Sequence, residues 1–140
     1  FLEAKEEKSG AIEVSAVSRL LHYIEKYSVN AEASVGTLGG AIDYINKNLF
    51  KDISIDEICR EVHISKYHFC RRFKSAMGMT VMDYILKTRI IHAKEMLKKE
   101  SASVTEVSER CGFSSVSYFC RVFKESVGVS PLKYRTSAEV

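Results

Sequence analysis

One segment occurs twice in this chain, and the repeat constrains the fold more than any other feature. The segment reads HFCRRFK at 68–74 and YFCRVFK at 118–124. The flanking segments are also similar, with SIDEI at 54–58 and GMT at 78–80 in the first copy and SVTEV at 103–107 and GVS at 128–130 in the second. Two copies predict two versions of one supersecondary unit, and they exclude a solenoid, which needs at least three repeats.

Composition favours helices in both copies. The 140 residues are 46% hydrophobic and include one Pro and seven Gly, too few for the frequent turns of an all-β protein. We predict an all-α fold in which a long connector helix joins two helix-turn-helix subdomains, preceded by an N-terminal amphipathic helix. No apolar run approaches the roughly 18 residues of a membrane span, and no signal-peptide pattern is visible. We therefore expect a cytoplasmic protein with no membrane partner.

The residue types that hold metals or perform catalysis are scattered. The four cysteines, at 59, 70, 111 and 120, show no CxxC spacing and lie within helical patterns, so reduced thiols are favoured well ahead of zinc. The sequence contains no phosphate-binding loop, paired catalytic carboxylates or nucleophile elbow. We expect no metal, no cofactor and no enzymatic activity.

Each copy carries the signals of a helix, a tight turn and a second helix. In the first copy, a capping box at 54–57 starts a short helix, residues 63–64 make the turn, and Ser65 caps a second helix that ends near Gly78. In the second copy, the equivalent features are a capping box at 103–106, a turn at 111–113 and a helix over 115–127. This pattern is typical of a helix-turn-helix.

Three other helices are predicted around these units. Thr37 or a neighbour caps one that runs through Leu49, Thr80 caps the longest, from Val81 to about Lys99, and Pro131 starts a short last helix. The longest helix has a broad apolar arc, which predicts burial on two sides between the subdomains. The residues of the arc are Met82, Ile85, Leu86, Ile90, Ala93, Met96 and Leu97.

The second helix of the first copy has two different faces. Phe69 and Phe73 share one face and are expected in the core, while Tyr67, Arg71 and Lys74 lie on another with no carboxylate beside them. Such a helix suits a DNA major groove, although an ordinary solvated basic face fits equally well on this stretch alone. Charge agrees with a polyanion partner, because residues 41–140 hold 17 Lys and Arg against 12 Asp and Glu, whereas residues 1–40 hold 4 against 6.

These motifs resemble the DNA-binding domain of AraC/XylS-type bacterial transcription regulators. The resemblance covers roughly residues 39–136 and rests on ICREVHISKYHFCRRFK at 58–74, CGF at 111–113 and GVSPLKYR at 128–135. It implies two recognition helices that read adjacent major-groove segments of promoter DNA, with RNA polymerase as a further partner. By position, the base-reading residues it implies are Tyr67, Cys70 and Arg71 in the first unit and Val116, Ser117, Cys120 and Arg121 in the second.

Residue chemistry separates base contacts from phosphate contacts. Arg71 and Arg121 are predicted to contact bases, because an Arg fork matches guanine O6 and N7, with a phosphate contact as the alternative. The residues expected at phosphates are Ser65, Lys66, Lys74, Ser115 and Lys124. Arg89, in the connector, is expected to form a structural ion pair with Asp83 or another carboxylate.

Two positions depart from the family pattern. His63 stands in the first turn where the family usually has Gly, and His tolerates a left-handed backbone better than most residues. Cys70 and Cys120 stand where hydrogen-bonding side chains are common, so less of the base reading is expected from them. Both are expected to be partly accessible, unlike Cys59 and Cys111.

Residues 1–38 are predicted to be a helix and linker at the end of a missing upstream region, because the chain opens on Phe rather than Met. An apolar stripe over 13–27 can pair with a second copy in a homodimer, pack on the missing region or fold back. The small residues of 30–40 predict the linker, and the DNA-binding domain is expected over 39–138.

Sequence-specific DNA binding in transcription control is therefore the leading function. A DNA-docking module of a repair protein with a methyl-accepting Cys is the main alternative from another class, and residues 1–38 contain no Cys to support it. A third interpretation makes the domain chiefly a contact surface for RNA polymerase.

Overall fold

The computed structural model describes residues 31–99 and 101–138, which form seven α-helices and no strand. The helices are α1 Ala31–Lys47, α2 Ile55–Val62, α3 Lys66–Met77, α4 Val81–Lys99, α5 Val104–Arg110, α6 Val116–Val127 and α7 Pro131–Ala138. The all-α prediction is confirmed for this part of the chain, and the helix predicted over 13–27 lies outside it. None of these seven helices is long and apolar enough to span a membrane.

The chain divides into two compact units, each with one helix-turn-helix. The first holds the described residues up to Asp43 and residues 55–81, and therefore α2 and α3. The second holds residues 44–54 and those from Met82 onward, and therefore α5, α6 and α7.

The helix-turn-helix of the first unit is closed by its caps and by an unusual turn residue. The Ser65 hydroxyl accepts a hydrogen bond from the His68 amide at 3.4 Å, and Gly78 ends α3 in the left-handed conformation. Between the helices, His63 has φ +55° and is the non-glycine residue with positive φ in the described chain. Histidine adopts a positive φ at a lower energetic cost than a β-branched residue does. The predicted left-handed turn is confirmed.

Helix α1 corrects the predicted linker. Residues 31–40 are helical, so neither the small-residue linker nor the start near Thr37 is right. The glycines cost roughly 1 kcal/mol each in a helix, but no Pro interrupts the segment, and burying Leu38 regains about 1.5–3 kcal/mol. Gly36 and Gly39 face open space, and a Cβ on Gly40 would make an ordinary 3.5 Å contact with Val62.

Phenylalanines of its helix-turn-helix pack with aliphatic side chains of α4 in the core of the second unit. The ring centroid of Phe119 lies 5.0 Å from that of Phe113 and 5.7 Å from that of Phe123. The ring centroid of Tyr134 lies 5.5 Å from that of Phe123. The predicted capping box is present, because the Ser103 hydroxyl accepts from the Glu106 amide at 3.1 Å and the Glu106 carboxylate accepts from the Ser103 amide at 2.8 Å.

Helix α4 has the predicted bounds but a narrower apolar arc. Ile85, Ile90, Ala93 and Leu97 are buried, while Leu86 and Met96 are half-buried. Met82 is 42% exposed, so its predicted burial is wrong. It lies in the first turn, on the same stripe of the helix as Leu86. Along this stripe the side chains become more exposed toward the start of the helix, from half-buried Leu86 to exposed Met82.

Arg89 is buried in the second unit and bonds to backbone carbonyls. Its Nε donates to Leu49 O at 2.7 Å, its Nη1 to Gly112 O at 3.1 Å and its Nη2 to Lys51 O at 2.8 Å. The structural role is as expected, but these carbonyls replace the predicted carboxylate partner. Burial lowers the pKa of Arg89, and the nearby Asp52 charge opposes that shift. A guanidinium suits this place because its planar fork reaches several acceptors at once.

Gly112 is fixed by two separate constraints. Its φ is +81°, and a Cβ would lie 2.8 Å from the Phe50 carbonyl oxygen and 2.9 Å from the Phe50 carbonyl carbon. Both atoms belong to the backbone and cannot move aside. Gly128 has φ +94°, but a Cβ there would meet nothing within 4 Å.

These two glycines therefore form a matched pair for a stability test. Gly128→Ala should lower the free energy of unfolding by about 1–2 kcal/mol through backbone strain alone. Gly112→Ala should lower it by roughly 2–5 kcal/mol, because overpacking against Phe50 is added to that strain. Urea denaturation followed by circular dichroism measures both values, and equal losses would show that the approach of Phe50 is unimportant.

Candidate nucleic-acid interface

Helix α3 presents the predicted polar stripe on its outer face. Phe69 and Phe73 are 1% and 0% exposed, whereas Tyr67 is 67% exposed and Arg71 is also exposed. Nη1 of Arg71 donates to the Tyr67 hydroxyl at 3.1 Å. The stripe therefore carries a cation whose position is already set by a neighbour one turn earlier.

Helix α6 repeats this arrangement with different contacts. Phe119 and Phe123 are fully buried, while Val116, Ser117 and Arg121 are exposed. The Arg121 guanidinium lies over the Tyr118 ring, 5.3 Å from its centroid, a cation–π geometry.

Both helices begin with a serine cap and no acidic residue in the first turn. The Ser65 and Ser115 hydroxyls each accept a bond from a backbone amide, at 3.4 and 3.1 Å, and each keeps its own proton to donate. The first turns lack carboxylates, so their amides and the helix dipole favour an anion. Lys66 forms an ion pair with Asp56 at 3.6 Å, with both side chains more than half exposed.

The remaining predicted phosphate contacts lie in the last turn of each helix. Lys74 and Lys124 are exposed near the C-terminal ends of α3 and α6. Each unit thus brings its predicted residues together on one helix and at that helix's N-terminus.

The four cysteines fall into two environments, as predicted. Cys59 and Cys111 are buried, Cys70 and Cys120 are half-buried, and all four are free thiols. Burial raises the pKa of the Cys59 thiol, and the nearby Cys70 and Asp56 add to that shift. Cys120 packs partly against the core cluster of the second unit, so only part of its side chain faces outward.

Tyr118 is the residue that sequence reasoning missed. The repeat aligns it with His68, and it lies outside the stripe at i, i+3 and i+4 that begins at Ser117. The available signal was the aromatic residue three positions before Arg121, a spacing at which helical side chains meet.

Known helix-turn-helix proteins are similar to this chain in sequence. The family described as helix-turn-helix domain matches residues 58–137. The regulatory protein PocR of Salmonella typhimurium is 32% identical over 95 residues, which cover 68% of this chain and 31% of that protein. The probable transcriptional regulator LumQ of Photobacterium leiognathi is 31% identical over 137 residues, which cover 95% of this chain and 55% of that protein.

A solved structure shares the fold. The DNA-binding domain of AdpA, a global transcriptional factor solved in complex with a target DNA, is 27% identical with a TM-score of 0.69. The match covers 71% of this chain and 90% of that domain. The chain spans about a third to just over half of the length of the two curated relatives. It belongs to the AraC/XylS-type helix-turn-helix family, whose members are DNA-binding transcription regulators rather than enzymes.

Proposed function

We propose that this chain binds promoter DNA sequence-specifically in transcription control, with α3 and α6 as its two recognition helices in adjacent major-groove segments. The observation that carries this is the repeated exposed stripe, with Arg71 and Arg121 at equivalent positions over buried Phe pairs. A helix anchored by aromatic residues on one face and bearing a cation on the other fits the major groove, which is wide enough to admit it.

Arg71 and Arg121 are the proposed readers of guanine. Each guanidinium has five N–H donors, so the contact to Tyr67 or Tyr118 leaves a fork free for O6 and N7. Val116, 37% exposed at the start of α6, suits a thymine methyl group, and Ser117 beside it can donate or accept. The two half-buried cysteines, Cys70 and Cys120, complete the proposed base-reading surface, and Tyr67 contributes to it by holding Arg71.

The serine caps and lysines are proposed to hold phosphates. Ser65 and Ser115 can donate from the helix N-termini, where the dipole favours an anion. Lys66 can exchange Asp56 for a phosphate at little cost, because exposed ion pairs contribute at most about 1 kcal/mol. Lys74 and Lys124 extend the contacts along the backbone.

The wider assignments rest on the sequence and the family. RNA polymerase is the proposed protein partner and the cytoplasm the proposed location, because the relatives are transcription regulators. Residues 13–27 are proposed to support a homodimer through their apolar stripe.

The base-reading arginines can be tested against phosphate-binding side chains. Arg71→Ala and Arg121→Ala should each cost about 1–3 kcal/mol on a duplex selected by the wild-type chain from random sequences. They should also relax the base preference at one position each. Lys74→Ala should weaken selected and random duplexes alike, because a phosphate contact carries no sequence information.

Fluorescence anisotropy at several salt concentrations measures these effects. If both units engage, about 6–10 phosphates are neutralised, and affinity should fall by about 10³-fold or more between 50 and 200 mM salt. An Arg71→Ala variant that loses affinity equally on selected and random DNA would make Arg71 a phosphate contact. A nearly flat salt dependence would contradict engagement of both units.

The cysteines report which face meets the DNA. A bulky thiol reagent should label Cys70 and Cys120 faster than buried Cys59 and Cys111 and should abolish DNA binding. Bound specific DNA should protect the two half-buried thiols. Mass spectrometry quantifies each site, and equal labelling of Cys70 with and without DNA would place it away from the groove.

Sedimentation tests the homodimer. The 140-residue chain should form a dimer that is lost when residues 1–30 are removed, because the apolar stripe over 13–27 goes with them. A monomer in both cases would rule out self-association through this segment.

A further inference from the structure

The two units hold their equivalent arginines by different chemistry. In α3 the supporting tyrosine precedes the arginine by four positions, as Tyr67 and Arg71, and the contact is a hydrogen bond to the hydroxyl. In α6 the tyrosine precedes by three positions, as Tyr118 and Arg121, and the contact is to the ring face. The repeat places His68 and Ser117 at the exchanged positions, so the supporting tyrosine comes from a different position in each unit.

The contact in the first unit lies on the surface. The Tyr67 hydroxyl accepts from Nη1 of Arg71 at 3.1 Å, and the Tyr67 side chain is two-thirds exposed. The Tyr67 ring meets the His68 ring edge-on at 5.6 Å, which restricts its rotation. The phenol oxygen is therefore the atom that holds the guanidinium, while the ring serves as its support.

The contact in the second unit is tied to the core. The half-buried Tyr118 ring lies 6.0 Å from Phe113, and Phe113 lies 6.0 Å from the buried guanidinium of Arg89. The Tyr118 ring also carries the Arg121 guanidinium, 5.3 Å from its centroid. A chain of tilted ring and cation contacts thus connects the buried cation to the exposed one, and the ring, not the hydroxyl, is the supporting group.

We propose that Tyr67 and Tyr118 are positioning residues that preorganise Arg71 and Arg121 for base reading, the first through its hydroxyl and the second through its ring. This inference rests on the proposed function, since it concerns how its two arginines are oriented. Holding a long side chain in its bound conformation reduces the entropy lost on binding. This gain in affinity applies only where the arginine contacts its base. Losing the tyrosine contact should therefore lower the affinity for the selected duplex and not the affinity for random DNA.

Removing one oxygen atom distinguishes the two units. The probe is a duplex of about 30 base pairs selected from a random library by the full chain, with variants in which single base pairs are replaced. Tyr67→Phe should lower affinity for the selected duplex about 3- to 10-fold and leave random DNA unchanged. Tyr118→Phe is the matched control and should stay within about twofold, because its ring remains. Tyr118→Leu, which removes the ring, should lower affinity about 2- to 5-fold.

Double variants show whether each tyrosine acts through its arginine. In an Arg71→Ala background, Tyr67→Phe should have no further effect, and the single variant should relax preference only at the base pair that Arg71→Ala relaxes. Additive losses would mean that Tyr67 contacts the DNA itself, which overturns the positioning role. A Tyr118→Phe loss as large as that of Tyr67→Phe would overturn the ring assignment, whether or not Tyr118→Leu folds.

The same experiment separates this inference from the proposed function. A wild-type chain that selects no sequence from the library would remove the function and the inference together. A wild-type chain that selects a sequence, with Tyr67→Phe unchanged on it, would remove only the inference. Thermal unfolding of each variant confirms that Tyr67→Phe and Tyr118→Phe leave the fold intact.

Discussion

A backbone turn in the left-handed region is the constraint on which each helix-turn-helix depends. The first unit meets it with His63 at φ +55°, and the second with Gly112 at φ +81°. The first turn tolerates a side chain, whereas the second does not, because the Phe50 backbone lies where a Cβ of residue 112 would be. The same local geometry is therefore set by intrinsic backbone preference in one copy and by close tertiary approach in the other.

Arg89 explains why the Phe50 backbone lies so close to the second turn. Its guanidinium bonds to the carbonyls of Leu49 and Lys51 on one side and of Gly112 on the other. Bonds to a charged donor contribute roughly 1.5–3 kcal/mol each, and a buried carbonyl left without one costs a further 1–3 kcal/mol. Lysine cannot replace this arginine, since one ammonium lacks the planar fork that reaches three acceptors in different directions. The buried Arg89 guanidinium thus fixes the turn at Gly112, which precedes α6.

The sequence predicts the helix bounds that local patterns encode. It does not predict the features that depend on contacts between distant segments. The bounds of α3, α4 and α6 follow from caps at Ser65 and Ser115, glycine stops and apolar spacing, which are all local signals. The small-residue pattern predicts α1 wrongly, because burial of Leu38, Ala41 and Ile45 together offsets the low helix propensity of its glycines. The partners of Arg89 lie 23 to 40 residues away in the chain, and no periodicity marks a carbonyl acceptor. The stripes themselves are predictable from sequence, because the repeat carries the same pattern at 68–74 and 118–124.

Duplication explains why the two stripes look alike, but the contacts beneath them have diverged. In the second unit, a chain of ring and cation contacts runs from the exposed Arg121 through Tyr118 and Phe113 to the buried Arg89. In the first unit, Arg71 is held by Tyr67, whose own ring is mostly in solvent. A side chain supported by the core has fewer accessible rotamers than one supported at the surface, because packing restricts the group beneath it. The core therefore restrains Arg121 through an aromatic ring, whereas a surface hydroxyl restrains Arg71.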